Sequence, residues 1–282
     1  MKKQLLVLTT LLVLGGCSFS RNKTAKSSLS VSSSTSEVKH HSTGSDSSHT
    51  SYSNSITSQR ATTSSSSSVT NQATNVSRVT LMNQQLMRSL GQFPLPQTDG
   101  LENGSNRLNV YYQGDSNNFT INYSVGSQAK KFNDATLKQE NPYAVYTKKT
   151  YESETTVRQQ IGYRSATEFK GLPTVDLGDE LTGTIDAGAG QQYLSWYEGN
   201  WFLTVHATTV NQEDPQSLAK EAVSFLAKNS LPVPENYGRV SFQTAIVDRQ
   251  RDQLIIWQKG DAVYQLQTHT PQTALKMAVS IK

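Results

Sequence analysis

From Ser18 to Ser77 the chain has almost no apolar residues, and this stretch limits everything else the sequence can build. Runs such as Ser32-Ser33-Ser34 and Ser64 to Ser68 cannot bury enough surface to offset the entropy lost when a backbone is ordered. Any hydrophobic core must come from residues C-terminal to this stretch. The composition predicts a disordered Ser/Thr-rich linker over 17–78 and one folded domain over 79–282. It also accounts for a hydrophobic fraction of 35%, low for a fully globular chain of 282 residues. A flexible linker of this length has an r.m.s. span of ~45 Å and a stretched limit near ~200 Å. Such a stalk reads as an unmodified spacer, with O-linked sugars as the alternative.

Beyond the linker the apolar periodicity is clear. Met82, Leu86 and Leu90 recur every four residues ahead of Gly91, the pattern of a short amphipathic helix. From Leu108 the period becomes two, and Val110 to Tyr112 and Phe119 to Val125 flank a Gly114 to Asn118 turn. Further extended runs are expected at 143–151, 155–163 and 181–186.

Around Tyr197-Glu198-Gly199-Asn200 the chain reads as a hairpin with either Glu198-Gly199 or Gly199-Asn200 at its tip. Both registers place Leu194, Trp196, Trp201, Leu203 and Val205 on one face. Tyr193, Ser195, Tyr197, Phe202, Thr204 and His206 take the other face. Asp214 with Pro215 opens a helix carrying Leu218, Ala222, Phe225 and Leu226, and Thr270-Pro271 opens a last one. Between them a Gly260-Asp261 turn pairs Trp257 with Tyr264 and Ile255 with Leu266. The expected fold is α+β, one domain of antiparallel sheet with a few helices packed on one side and no visible parallel βαβ repeat.

Charge divides by segment. Residues 18–78 hold six Lys and Arg against Glu37 and Asp46, whereas 79–282 hold 18 basic and 20 acidic groups, so the folded part is slightly acidic. A domain without a basic footprint of its own is a poor candidate for nucleic acid. The linker's positive charge suits anionic lipid heads or wall polymers.

The N-terminal residues have the layout of an export signal. Lys2 and Lys3 precede an apolar run from Leu5 to Leu14, too short to span a bilayer, and Leu14-Gly15-Gly16-Cys17 follows at once. These four residues resemble the lipobox of bacterial lipoproteins. The resemblance implies a signal peptide over 1–16, cleavage before Cys17 and a diacylglycerol on the Cys17 sulfur as the only attached group, with no other cofactor. Each buried CH₂ contributes ~0.8 kcal/mol, so two acyl chains give a stable anchor where one is marginal. The chain is then expected at the outer face of the cytoplasmic membrane, lipid-anchored and extending into the cell wall. As the one cysteine, Cys17 also leaves no thiol for a disulfide, a Cys-rich zinc site or a redox pair.

Catalytic signatures are sparse. There is no GxSxG elbow, HExxH pair or GxxxxGK[ST] loop, and after residue 78 the histidines are His206 and His269. A carboxylate pair for glycoside cleavage could be drawn from Glu152, Glu154, Asp179 and Glu180, though acids at such positions usually form a solvated face. Asp176, Asp179 and Glu180 lack EF-hand spacing. No catalytic or metal-binding residue is assigned. The outward Tyr193, Tyr197, Phe202 and His206 are the candidate ligand contacts, and Ala187-Gly188-Ala189-Gly190 beside them reads as a plain connector, with a mobile loop as the alternative.

Gly171-Leu172-Pro173, Val175-Asp176-Leu177-Gly178, Trp196 to Trp201, Asp214-Pro215, Leu231-Pro232-Val233-Pro234, Trp257-Gln258-Lys259-Gly260 and Met277-Ala278-Val279-Ser280 form a further pattern. With these features, residues 172–282 resemble a group of small surface lipoproteins from lactic-acid bacteria. The resemblance implies surface location and a single fold, and it carries over no catalytic residue. The expected role is a non-enzymatic module binding an envelope component or protein partner, such as a cell-wall polymer or surface protein, the alternative being a cell-wall hydrolase or other extracellular enzyme with an unrecognised acidic site. Replacing Cys17 by Ser is expected to abolish fatty-acid labelling and to move the chain from the membrane pellet to the soluble fraction.

Overall fold

Inward-facing apolar residues from strands far apart in the chain meet in one register and define the core. The computed structural model describes residues 76–282. Leu14, Gly15, Gly16, Cys17 and the linker up to residue 75 lie outside the described residues. The described elements are α1 (Arg78–Leu90), β1 (Leu108–Gly114), β2 (Phe119–Val125), β3 (Ala144–Thr150), α2 (Glu154–Ile161), β4 (Thr174–Gly178), β5 (Leu181–Gly188) and β6 (Gln191–Glu198). They continue with β7 (Trp201–Thr208), α3 (Pro215–Leu226), β8 (Gly238–Gln243), β9 (Gln253–Lys259), β10 (Ala262–Thr268) and α4 (Pro271–Val279). The ten strands form one sheet in the order β1-β2-β3-β10-β9-β8-β7-β6-β5-β4, giving a single α+β domain.

Cross-strand partners trace one apolar row through eight of these strands. Tyr112 faces Ile121, Ile121 faces Tyr146, Tyr146 faces Leu266, and Leu266 faces Ile255. The row continues through Val240 and Leu203 to Trp196. Beside it, the Trp257 and Tyr264 rings stack at 5.6 Å, and Tyr146 lies 6.1 Å from Trp257. The Tyr146 hydroxyl donates to the Pro94 carbonyl at 2.9 Å, so this buried ring keeps its polar end satisfied.

The helices α1, α3 and α4 cover this face. The Ser77 hydroxyl caps α1, and Val79, Met82, Leu86 and Leu90 face the core. On α3 and α4 the residues nearest the sheet are small, including Ala219, Ala222, Ala274 and Ala278, which lets each helix axis approach the strands closely. Asp214 and Thr270 are N-caps with Pro at the next position, as their spacing predicts. The buried stripe of α3 runs through Pro215, Ala219, Ala222 and Val223, leaving Leu218, Phe225 and Leu226 half-buried on its flank.

Two expectations are corrected. The segment expected to be a strand over 155–163 contains helix α2. Its β-branched Thr155, Thr156 and Val157 favour strand locally, but Ser153 accepts from the Thr156 amide and Gly162 closes the far end in the left-handed region at φ 67. Tertiary burial decides the matter, because Val157 and Ile161, one helical turn apart, reach Ile256 and Val263.

The helices are therefore not all on one side, since α2 lies on the face opposite α1, α3 and α4. Strands β9 and β10 are apolar on both faces, and their outer Ile256 and Val263 need a cover that α2 provides. A parallel βαβ unit is present as well, with β7 and β8 pairing in parallel across α3 from Trp201↔Gly238 to His206↔Gln243. One such unit leaves no repeat to detect in the sequence. Ile161→Ala is expected to lower the unfolding free energy by about 2–5 kcal/mol in urea titrations, because the cavity would open beneath α2.

Candidate functional site

The predicted contact residues share the outer face of the β6–β7 hairpin. Its register pairs Tyr193 with His206, Ser195 with Thr204 and Tyr197 with Phe202, while Glu198↔Trp201 fixes the tip as Gly199-Asn200. Gly199 takes φ 57, a conformation its missing Cβ makes accessible.

Tertiary packing divides this face. After α2 the chain makes a 3-10 turn, Ala166–Phe169, that lies over one end of the hairpin. Phe169 sits 5.6 Å from Phe202, Tyr163 meets the Phe202 ring edge-on at 6.3 Å, and the Tyr197 hydroxyl donates to the Arg164 carbonyl at 3.0 Å. Burial holds the Tyr197 hydroxyl up at about 12, with Tyr163 and Glu168 adding to it and Arg164 opposing. Arg164 lies over the Phe169 ring at 4.3 Å and donates to Glu168 at 3.1 Å, bracing the turn. Phe202 is consequently 3% exposed and is a core residue, and Tyr197 is engaged in holding the turn.

Tyr193 and His206 remain on the open part. Tyr193 is 42% exposed and stacks on the His206 ring at 4.6 Å. His206 Nε2 meets Gln191 Oε1 at 2.6 Å, and Nδ1 meets Gln243 Oε1. Either amide can present its NH₂ by a half-turn, so a neutral ring with one donor and one acceptor is satisfied on both sides. A ring engaged at both nitrogens does not resemble a base waiting beside a nucleophile.

Gln243 is itself held in place. The buried Gln253 accepts from the Gln243 amide at 2.9 Å and donates to its carbonyl at 3.3 Å, continuing the ladder by side chain just past the last β8–β9 backbone pair. Next to Gln243 a groove of about 380 Å³ is lined by Ser241, Val247, Asp252, Leu254 and Gln267 among others. Its in-register floor runs Ser241, Leu254, Gln267 across β8, β9 and β10, with Thr204 of β7 paired beside Ser241. Ile246 and Val247 stand exposed beside it at 52% and 46%. The groove is thus lined by the Gln243 and Gln267 amides, the Ser241 hydroxyl and the Asp252 carboxylate with an apolar lip, and the Tyr193–His206 pair lies beyond Gln243 on the same sheet face. It suits a ligand that trades hydrogen bonds with these amide, hydroxyl and carboxylate groups and buries an apolar flank.

The other candidates are dispersed. Asp179 and Glu180 occupy the two left-handed positions of the β4–β5 turn, at φ 49 and 62, and Glu154 accepts from Asn236 at the start of α2. Asp176 accepts from the Gly178 amide within its own turn, and no cluster of three metal-ligating side chains occurs among the described residues. His269 bonds the Gln250 carbonyl through Nδ1 at 2.9 Å. The connector at Ala187–Gly190 is a tight hairpin turn at Ala189-Gly190, with Gly190 accepting from the Thr209 amide at 3.0 Å.

Sequence reasoning missed the glutamines. Gln191 and Gln243 fall on the outward side of their strands, one paired beyond Tyr193 and one beside His206, and only the parallel β7–β8 pairing joins them. Comparison with protein-family models, curated proteins and solved structures finds no match to the chain.

Phe202→Ala is expected to cost about 3–5 kcal/mol of stability, against about 0.5 kcal/mol or less for Tyr193→Ala, in paired urea titrations.

Proposed function

We propose that this chain is a lipid-anchored extracytoplasmic surface protein whose folded domain is a non-enzymatic binding module for an envelope component or protein partner. The resemblance of Leu14-Gly15-Gly16-Cys17 to a lipobox supports the anchor, with diacylglycerol on Cys17 as the membrane contact. No helix among the described residues is long and apolar enough to cross a membrane.

The observation that carries the binding role is the uncovered end of the outer sheet face. There Tyr193 stays exposed over His206 while Gln191, Gln243 and Gln253 hold the surrounding side chains in fixed positions. Rings and amides held by neighbours lose little entropy on contact, which favours recognition. The acids weighed for hydrolysis sit on separate turns and do not line this groove.

The test uses the full chain carrying Cys17→Ser, so that the lipid cannot cause sedimentation. It is spun with isolated cell walls across a salt series, and soluble fragments are assayed in the supernatant. Salt-resistant co-sedimentation without fragment release is expected, and Tyr193→Ala should weaken it by about fivefold or more. Fragment release would replace the module by a hydrolase. Absence of both binding and release would remove the wall polymer and leave a protein partner.

A further inference from the structure

A second cleft lies on the opposite, helix-covered side of the same hairpin. Inward alternation along β6 runs Leu194, Trp196, Glu198, so a carboxylate stands where the period calls for an apolar residue. Trp196 donates its indole N–H to Glu198 Oε1 at 2.8 Å. That bond occupies one carboxylate oxygen and leaves Oε2 without a protein donor among the described residues. Burial holds the Glu198 carboxyl above its usual range, with the Trp196 N–H opposing and Asp179 adding to the rise.

Glu198 lines an open cleft of about 440 Å³ between the Gly199-Asn200 tip and the segment 229–234. Trp201, Leu226, Leu231 and Pro234 supply apolar walls, and no Lys or Arg lines it. Asn229 donates its NH₂ to the Phe225 carbonyl at 2.8 Å and Asn200 donates its own to the Glu235 carbonyl at 3.4 Å, which leaves their amide oxygens as acceptors. The lining therefore offers acceptors and negative charge at one point, with apolar surface around it.

These features select among ligands. An anion meets no cation here. A sugar ring would want an open aromatic face, but Trp201 lies against Gly238 and Pro234, where a Cβ built on Gly238 would come within 2.6 Å of the ring and 2.9 Å of the proline. A guanidinium fork is best matched by two carboxylate oxygens, and one is already taken. A lysine side chain fits each point, with a methylene stem for the apolar walls and a compact ammonium for a single oxygen.

We propose that the cleft between the β6–β7 tip and segment 229–234 binds a lysine side chain of a polypeptide partner, with Glu198 as the acceptor of its ammonium. This site is separate from the outer face that carries Tyr193, and either can fail without the other. Glu198 has a structural duty toward Trp196 in any case, so the decisive variant is Glu198→Gln, which keeps an oxygen for the indole N–H and removes the charge.

The probe is a blocked pentapeptide, Ac-Gly-Gly-Lys-Gly-Gly-amide, titrated into the purified full chain while the Trp196 indole N–H resonance is followed. A saturable shift is expected, about tenfold or more weaker for the Nε-acetyl-lysine peptide and for Glu198→Gln, and unchanged by Tyr193→Ala. The acetylated probe requires no variant to fold. Equal binding of the acetylated peptide, equal binding by Glu198→Gln, tighter binding of the arginine peptide, or no saturation by about 10 mM would overturn the assignment.

Discussion

The register of the ten-stranded sheet is the constraint on which the rest of the molecule depends. A strand that slips by one residue exchanges its faces, so the row from Tyr112 to Trp196 survives only if every intervening pair is aligned. Two kinds of device hold it. Tight turns such as Gly199-Asn200 and Gly260-Asp261 set local pairs, and the stacked Trp257, Tyr264 and Tyr146 lock three strands together through contacts that another register would lose. Once that face is set, the small residues of α3 and α4 have one surface to approach, and the parallel β7–β8 joint follows from carrying the chain over it.

The outer face follows a different logic. It is apolar where Ile256, Val263 and Phe202 lie and mixed elsewhere, and α2 and the 3-10 turn after it cover one end only. The boundary runs through the β6–β7 hairpin itself. At one cross-strand pair, Tyr197–Phe202, the cover buries Phe202 and half-buries Tyr197, while Tyr193–His206, four residues along the same strands, is left uncovered. Exposure at the second pair is thus a consequence of where the cover stops. The Glu198 cleft arises in a similar way on the inner face, at the edge of the area that α3 covers.

Much of this architecture is legible in the amino-acid order. Caps at Asp214 and Thr270, the Trp257–Tyr264 and Ile255–Leu266 pairs, and the inward set of the β6–β7 hairpin follow from spacing, because each depends on contacts within a few residues or across one turn. Helix α2 misleads for the opposite reason. Its β-branched residues favour strand locally, and the helix is stabilised by Ile256 and Val263, about a hundred residues away. Half of the candidate site was legible. Period two placed Tyr197 and Phe202 outward correctly, but whether an outward residue meets water depends on a segment that alternation does not describe.

What the sequence by itself determined is local or compositional. The poverty of apolar residues over 18–77 confines the core to the later part of the chain, and the alternation within each hairpin decides which side chains share a face. Strand order, the opposite placement of α2 and the convergence of Gln191, His206 and Gln243 were decided by tertiary structure alone. The physical reason is range. A turn or a cap satisfies its hydrogen bonds among near neighbours, whereas burial is a property of the whole packed surface and assigns Tyr193 to solvent and Phe202 to the core although both obey the same alternation.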